Sequence, residues 1–248
     1  WKSDHALVEG NHVLGHRDGI YFEFVTNSII WRNISTNNKR YGLHFMFSNN
    51  DTYITNTFRN NGAGVAVMYT HGVKMFNNLF EENWGDAAYG LLLKEISDSH
   101  IEGNIFTKNT SGIYMEGTSR LQVERNLFKD NGWAIKIQAS CMDVNVTKNN
   151  FLGNTFDVGT NGSLVLNNFD GNYWDKYEGY DLNRDAVGDI PYRPVSLYSV
   201  LVDQMPYAIM LMRSFTIDLL NKAEKNIPSI VPETFIDNKP IMKMIKRR

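Results

Sequence analysis

An asparagine recurs along this chain at intervals of 18 to 26 residues, and each is followed five positions later by another. The first set is Asn33, Asn56, Asn78, Asn104, Asn126, Asn149 and Asn167; the second is Asn38, Asn61, Asn83, Asn109, Asn131, Asn154 and Asn172. A unit repeated with a period near 22 residues cannot bury its apolar face alone, so it specifies a solenoid in which each repeat is one coil. An aromatic usually stands two positions after the first asparagine, giving a column of Phe58, Phe80, Phe106, Phe128 and Phe151. After the second asparagine come a glycine and a short alternating run, as in Gly42-Leu43-His44-Phe45-Met46 and Gly64-Val65-Ala66-Val67-Met68. Period two means strand, with alternate residues inside. A second set of alternating runs, including Asp51 to Ile54, Ser99 to Glu102 and Leu121 to Glu124, leads into the next asparagine.

Asparagine suits the corners between strands because it tolerates left-handed backbone angles and because its amide can pair along a column of identical neighbours. Leucine-rich and helical repeats have similar periods, but they need leucine columns or 3.6-residue spacing, and this chain has neither. The sequence therefore predicts an all-β fold, a right-handed parallel β-helix. With coils roughly 4.8 Å apart the rod would be about 35 Å long. Its expected inner column is Ile20, Phe22, Leu43, Phe45, Val65, Val67, Leu91, Leu93, Ile113 and Met115.

The pattern divides the chain into a solenoid at 1–175, a closing loop at 176–195, and a C-terminal helix with an extended basic tail at 196–248. Pro206 suits a helix first turn, and Ile209, Met212, Phe215, Leu219 and Leu220 fall along one side of the helical stretch. Pro228, Pro232 and Pro240 end regular helix ahead of Lys246-Arg247-Arg248. Arg213 and Asp218 make this module too polar to cross a bilayer, and no apolar run is membrane-length. A formal charge of −2 gives no bias toward nucleic acid. The single cysteine, Cys141, excludes an internal disulfide framework and reads as a small packed residue. The chain begins at Trp1, and Asn11 lies in phase 22 residues before Asn33, so a fragment lacking its leader and early coils is expected.

Alignment on the glycines places Tyr21 and Glu23, His44 and Met46, Ala66 and Met68, Leu92 and Lys94, and Tyr114 and Glu116 at outward positions. Met46 and Met68 then stack on neighbouring rungs with His44 beside Met46. Thioethers with an imidazole are a soft ligand set that favours Cu(I); the alternative is a methionine patch covered by a loop, by the C-terminal helix or by a partner protein. Asp181, Asn183, Asp185 and Asp189 alternate as in calcium loops, but Ala186 and Tyr192 stand where glycine and glutamate are expected, so a turn-rich loop without an ion competes. The remaining histidines, His5, His12, His16, His71 and His100, share no column and read as surface residues. A carbohydrate-binding or polysaccharide-cleaving β-helix is the other functional class, with Tyr21 and Tyr114 as sugar platforms. Against it, no paired acids gather on an outward column as glycoside chemistry requires.

The segments Lys39-Arg40-Tyr41-Gly42-Leu43-His44-Phe45-Met46-Phe47-Ser48, Gly64-Val65-Ala66-Val67-Met68-Tyr69, Gly171-Asn172-Tyr173-Trp174 and Gly188-Asp189-Ile190-Pro191-Tyr192-Arg193-Pro194 resemble the NosD family of nitrous-oxide reductase maturation proteins. The Met205-Pro206 helix and Phe235-Ile236-Asp237-Asn238-Lys239-Pro240 extend the likeness over nearly the whole chain. The resemblance implies a periplasmic β-helix, not an enzyme, that sits on an ABC-type transporter and supplies copper, with or without sulfur, to the copper enzyme. Implied partners are the transporter permease and its ATPase, a copper chaperone, and nitrous-oxide reductase, with membrane contact only through the permease. The implied role of His44, Met46 and Met68 is transient Cu(I) transfer, and that of the C-terminal helix is docking on the permease.

Overall fold

The computed structural model describes residues 1–162, 166–226 and 235–246. Each full coil carries three strand positions, and stacking the coils in parallel produces three faces. The first face runs through Leu7–Glu9, Ile29–Trp31, Thr52–Ile54, Lys74–Phe76, the second half of Tyr89–Glu102, Ser119–Glu124 and Met142–Thr147. The second is an 8-stranded sheet from His12–Leu14 to Tyr173–Trp174. The third runs through Asp18–Glu23, Tyr41–Met46, Ala63–His71, the first half of Tyr89–Glu102, Ser111–Glu116, Trp133–Ile137 and Phe156–Thr160. This is a parallel β-helix, as the repeat predicts.

The asparagine columns are fully bonded. Asn56 Oδ1 accepts from Asn33 N–H at 2.9 Å and Asn33 Nδ2 at 3.0 Å, while its own Nδ2 donates to Ile30 O at 2.8 Å and Asn78 Oδ1 at 3.0 Å. Two acceptor positions and two donors are thus all used, which is what allows a buried amide without a desolvation penalty. The left-handed residue is not the column asparagine but the one before it: Arg32, Thr55, Asn77, Arg125 and Lys148 all have φ near +55°. Asparagine is needed here for its amide rather than for its backbone tolerance, which corrects the expectation.

The columns also correct one assignment. Asn149 N–H donates to Asn172 Oδ1 at 3.0 Å, so Asn172 continues the first column. Asn167 instead accepts from Val144 N–H at 2.8 Å, at a third corner shared with Ser28, Asp51 and Ser99. Inside, Phe58, Phe80, Phe106, Phe128, Phe151 and Trp174 form one continuous stack, with ring centroids 4.0 to 5.5 Å apart. The predicted inner column joins the same core, with Ile20 half-buried near the first coils, and Cys141 is buried.

The C-terminal stretch is three pieces rather than one helix: α1 (Leu197–Gln204), a 3-10 segment at Pro206–Leu211, and α2 (Phe215–Asn226). Ser196 caps α1 in a reciprocal box with Ser199, Pro206 opens the 3-10 segment, and a left-handed Arg213 (φ 65°) breaks the chain before α2. Tyr198, Val202 and Ile217 pack on Phe156 of the third face, with Leu220 beside them, and Lys136 pairs with Asp203 at 2.5 Å. None of the described helices is long and apolar enough to cross a membrane.

The tail does not run free. Pro228, Pro232, Arg247 and Arg248 lie outside the described residues, but Asp237 returns to the end of the solenoid. It is fully buried and accepts from Gly171 N–H, Asn172 N–H and Trp174 Nε1, each at 2.9 Å. A carboxylate therefore ends the first asparagine column and satisfies the donors of its last coil.

Candidate metal centre

On the third face, alternation sends Leu43, Phe45, Val65 and Val67 into the core and leaves His44, Met46 and Met68 outside it. The register pairs Met46 with Met68 and His44 with Ala66. Adjacent rungs are about 4.8 Å apart and residues two positions apart on a strand about 6.6 Å, so the three side chains lie within reach of one another. The continuing column pairs Met68 with Lys94, whose ammonium lies 3.3 Å from Glu116. With Glu23 opposite Met46 on the preceding rung, the two thioethers are the soft middle of an otherwise charged column.

His44 departs from the expectation of an open imidazole. It is only 7% exposed, with the Tyr41 ring centroid at 4.8 Å and that of Tyr21 at 5.2 Å. Burial pushes its pKa down; Asp18 and Glu23 oppose this, and Arg40 and Arg17 add to it. The ring is accordingly neutral near pH 7. Its Nδ1 is shut off from solvent and makes no hydrogen bond. A neutral ring with an orphaned nitrogen beside two half-buried thioethers has the chemistry of a soft-metal donor set.

Sequence reasoning missed an aromatic ladder at the edge of this patch. Phe24, Phe47 and Tyr69 follow Glu23, Met46 and Met68 by one residue, adopt φ of 55°, 48° and 54°, and stack at 5.4 and 5.1 Å. They remain 45%, 39% and 43% exposed. The signal was present as an aromatic immediately after each of Glu23, Met46 and Met68. On the other side, Lys39, Arg40, Tyr41 and the Trp84 to Ala88 loop line an open recess of about 360 Å³.

The remaining sequence candidates separate. In the 181–189 loop, Asp181 accepts from the N–H groups of Asp185 and Ala186, Asp185 from those of Val187 and the Asn183 amide, and Asp189 from that of Leu182. Asn183 Oδ1 accepts from Asp185 N–H. These are Asx turns in which the loop itself uses the oxygens. Of the docking residues, Phe215 and Leu219 are open, whereas Ile209 and Met212 are only 39% and 38% exposed. Pro206 is exposed at the head of its segment, and Met210 and Tyr207 are the more open residues there. Leu220 turns inward instead. Tyr21 makes a T-shaped contact with His44 at 5.2 Å and stays 43% exposed, and Tyr114 is tilted against Tyr89 at 5.0 Å. His100, expected to stand apart, lies with Glu102 and Glu124 on the first face, where Glu102 is opposite Glu124 in register, so two acids do pair on neighbouring rungs, against the expectation.

A family model described as "Periplasmic copper-binding protein (NosD)" matches residues 1–179. A curated protein from Stutzerimonas stutzeri named "Probable ABC transporter binding protein NosD" is 31% identical over 197 residues, 72% of this chain and 44% of that protein. One of the same name from Pseudomonas aeruginosa is 28% identical over 176 residues, 64% of this chain and 41% of that protein. The chain thus spans under half the length of these relatives. Among solved structures, the A-modules of the Azotobacter vinelandii mannuronan C-5 epimerases AlgE4 and AlgE6 superpose with TM-scores of 0.58 and 0.59, at 17% and 14% identity. Each match covers 68% of this chain, and 54% and 51% of the respective modules. At that identity the likeness is one of fold alone.

Proposed function

The chain belongs to the NosD family, and from that premise we propose that it carries Cu(I) transiently at His44, Met46 and Met68 in the periplasm, for the maturation of nitrous-oxide reductase. The observation that carries this reading is the in-register methionine pair beside a histidine whose Nδ1 has no partner. Copper here is cargo. Two thioethers and a neutral imidazole bind a soft monovalent ion without a charged ligand, which leaves release feasible. His44 Nδ1 is shut off from solvent, so loading requires the outer face to open around the ring.

The partners follow as part of the same proposal. The Phe24, Phe47 and Tyr69 ladder borders the donor set and presents aromatic surface of the kind enriched at interfaces, which suits it to meet a copper chaperone. The C-terminal module meets the permease of an ABC transporter, whose ATPase supplies the driving motion. Support for that contact is the exposure of Tyr207, Met210 and Phe215, at 87%, 84% and 81%. The role is transfer rather than catalysis, and the 181–189 loop is held by bonds from its own amides to its carboxylates.

Anaerobic Cu(I) titration against a competing chelator tests the reading, comparing wild type with the Met46→Ala/Met68→Ala variant. One tight equivalent in the wild type and none in the variant is expected. Equal binding by both proteins would exclude the thioether pair as the site.

A further inference from the structure

We propose that His100, Glu102 and Glu124 form a second metal site, on the first face, for a first-row divalent cation such as Zn²⁺. His100 and Glu102 are two positions apart on Tyr89–Glu102 and so project from the same side, and Glu124 stands opposite Glu102 one rung on. Three potential ligand atoms, one from each residue, lie within 4.8 Å of one another. His100 Nε2 is 3.3 Å from Glu124 Oε1 and 3.5 Å from Glu102 Oε2. Two ligands each about 2.05 Å from a tetrahedral zinc are separated by roughly 3.3 to 3.4 Å, and the two spacings from His100 to the carboxylates lie close to that edge length.

The surroundings fit the same reading. His100 Nε2 is closed to solvent and makes no hydrogen bond, although it points between two carboxylates. Arg125 Nη1 lies 2.8 Å from Glu102 Oε1 and 3.6 Å from Glu124 Oε2. The guanidinium thus engages the far oxygen of each glutamate and leaves the near oxygens facing the imidazole, the arrangement of an outer-sphere group that orients ligands. Phe76 holds the His100 ring edge-on at 5.4 Å. Lys74, opposite His100 in register, is exposed. The three ligand side chains remain 24% to 33% exposed, so the cluster lies near the surface of the first face. One imidazole and two carboxylates favour borderline divalent ions, whereas the methionine patch favours Cu(I). This site stands independently of the copper reading.

The test is a Co²⁺ titration of the purified chain followed by visible d–d absorption, then displacement with Zn²⁺. Wild type and the Met46→Ala/Met68→Ala variant should each bind one equivalent, and His100→Ala and Glu102→Gln/Glu124→Gln should weaken binding at least tenfold with unchanged circular dichroism. Absence of Co²⁺ binding to the wild type would mean that the cluster is only a histidine flanked by two glutamates, and would overturn the proposal. So would binding that survives His100→Ala, or loss of binding in the methionine variant.

Discussion

Asp51 is the residue at which the ladder and the core conflict, and replacing it with asparagine should stabilise the protein at neutral and alkaline pH. Its side chain is fully buried at the third corner, where Oδ1 accepts from Ser28 N–H at 2.7 Å while Oδ2 is closed off without a hydrogen bond. Burial raises its pKa from 3.8 to about 7; the bond from Ser28 opposes this and the Asp4 charge adds to it. The folded protein therefore holds a proton that the unfolded chain releases above pH 3.8. The associated stability is full below that value and is lost as pH rises through about 7. The whole interval is worth at most ~4 kcal/mol, and the part falling between about pH 5 and about pH 8 is ~2.5 kcal/mol. An amide in place of the carboxyl would keep the acceptor for Ser28 and carry no charge. The melting temperature of Asp51→Asn, followed by circular dichroism at those two pH values, should fall less than that of wild type by ~5–10 °C. Identical pH dependence in the two proteins, or a variant less stable than wild type at the higher pH, would refute the reasoning.

Two further outcomes test the ladder and the C-terminal module. Asn104→Ala removes the acceptor of Asn78 N–H and Nδ2 and the donor to Met75 O, all buried, and should cost ~2–4 kcal/mol. Amide exchange at Asn78 should accelerate with it; unchanged protection there would mean that the amide column adds nothing to coil stacking. Phe215→Ser/Leu219→Ser alters side chains that are 81% and 57% exposed, so chemical denaturation should shift by no more than ~0.5 kcal/mol while binding to the proposed permease partner weakens. A large loss of stability would place these residues against the solenoid instead.

The fold was legible because a coil must repeat its corner chemistry, and the asparagine column records that repetition directly. The misassignment of Asn167 had a visible cause. Asn167 lies 18 residues after Asn149, whereas the bonded first-column steps are 22 to 26. The uneven step marked a different corner. All three corners accept a polar side chain, so residue type alone could not assign the column. The cap made by Asp237 was beyond local patterning, since its bond to Asn172 spans 65 residues. The three-piece C-terminal module was only partly readable: Pro206 marked a start, but the left-handed Arg213 had no compositional signal.

Orientation was easier to read than cover. Alternation placed His44 on the outside, but Tyr41 precedes the glycine and falls outside the alternating run, so its ring contact with His44 could not be anticipated from period two. The His100 cluster was legible and went unread: His100-Ile101-Glu102 lies 22 residues before Gln122-Val123-Glu124, the same offset as Met46 to Met68. Both candidate sites are built alike, from two residues at alternate positions of one strand and a third one rung away. The reason is geometric: in a parallel solenoid those are the neighbouring outward side chains, about 6.6 and 4.8 Å apart at the backbone. What distinguishes them is donor softness. Copper in its reduced form should therefore leave the first-face cluster empty, and zinc should leave the methionines empty, so a mixed titration with both ions resolves the two sites in one molecule.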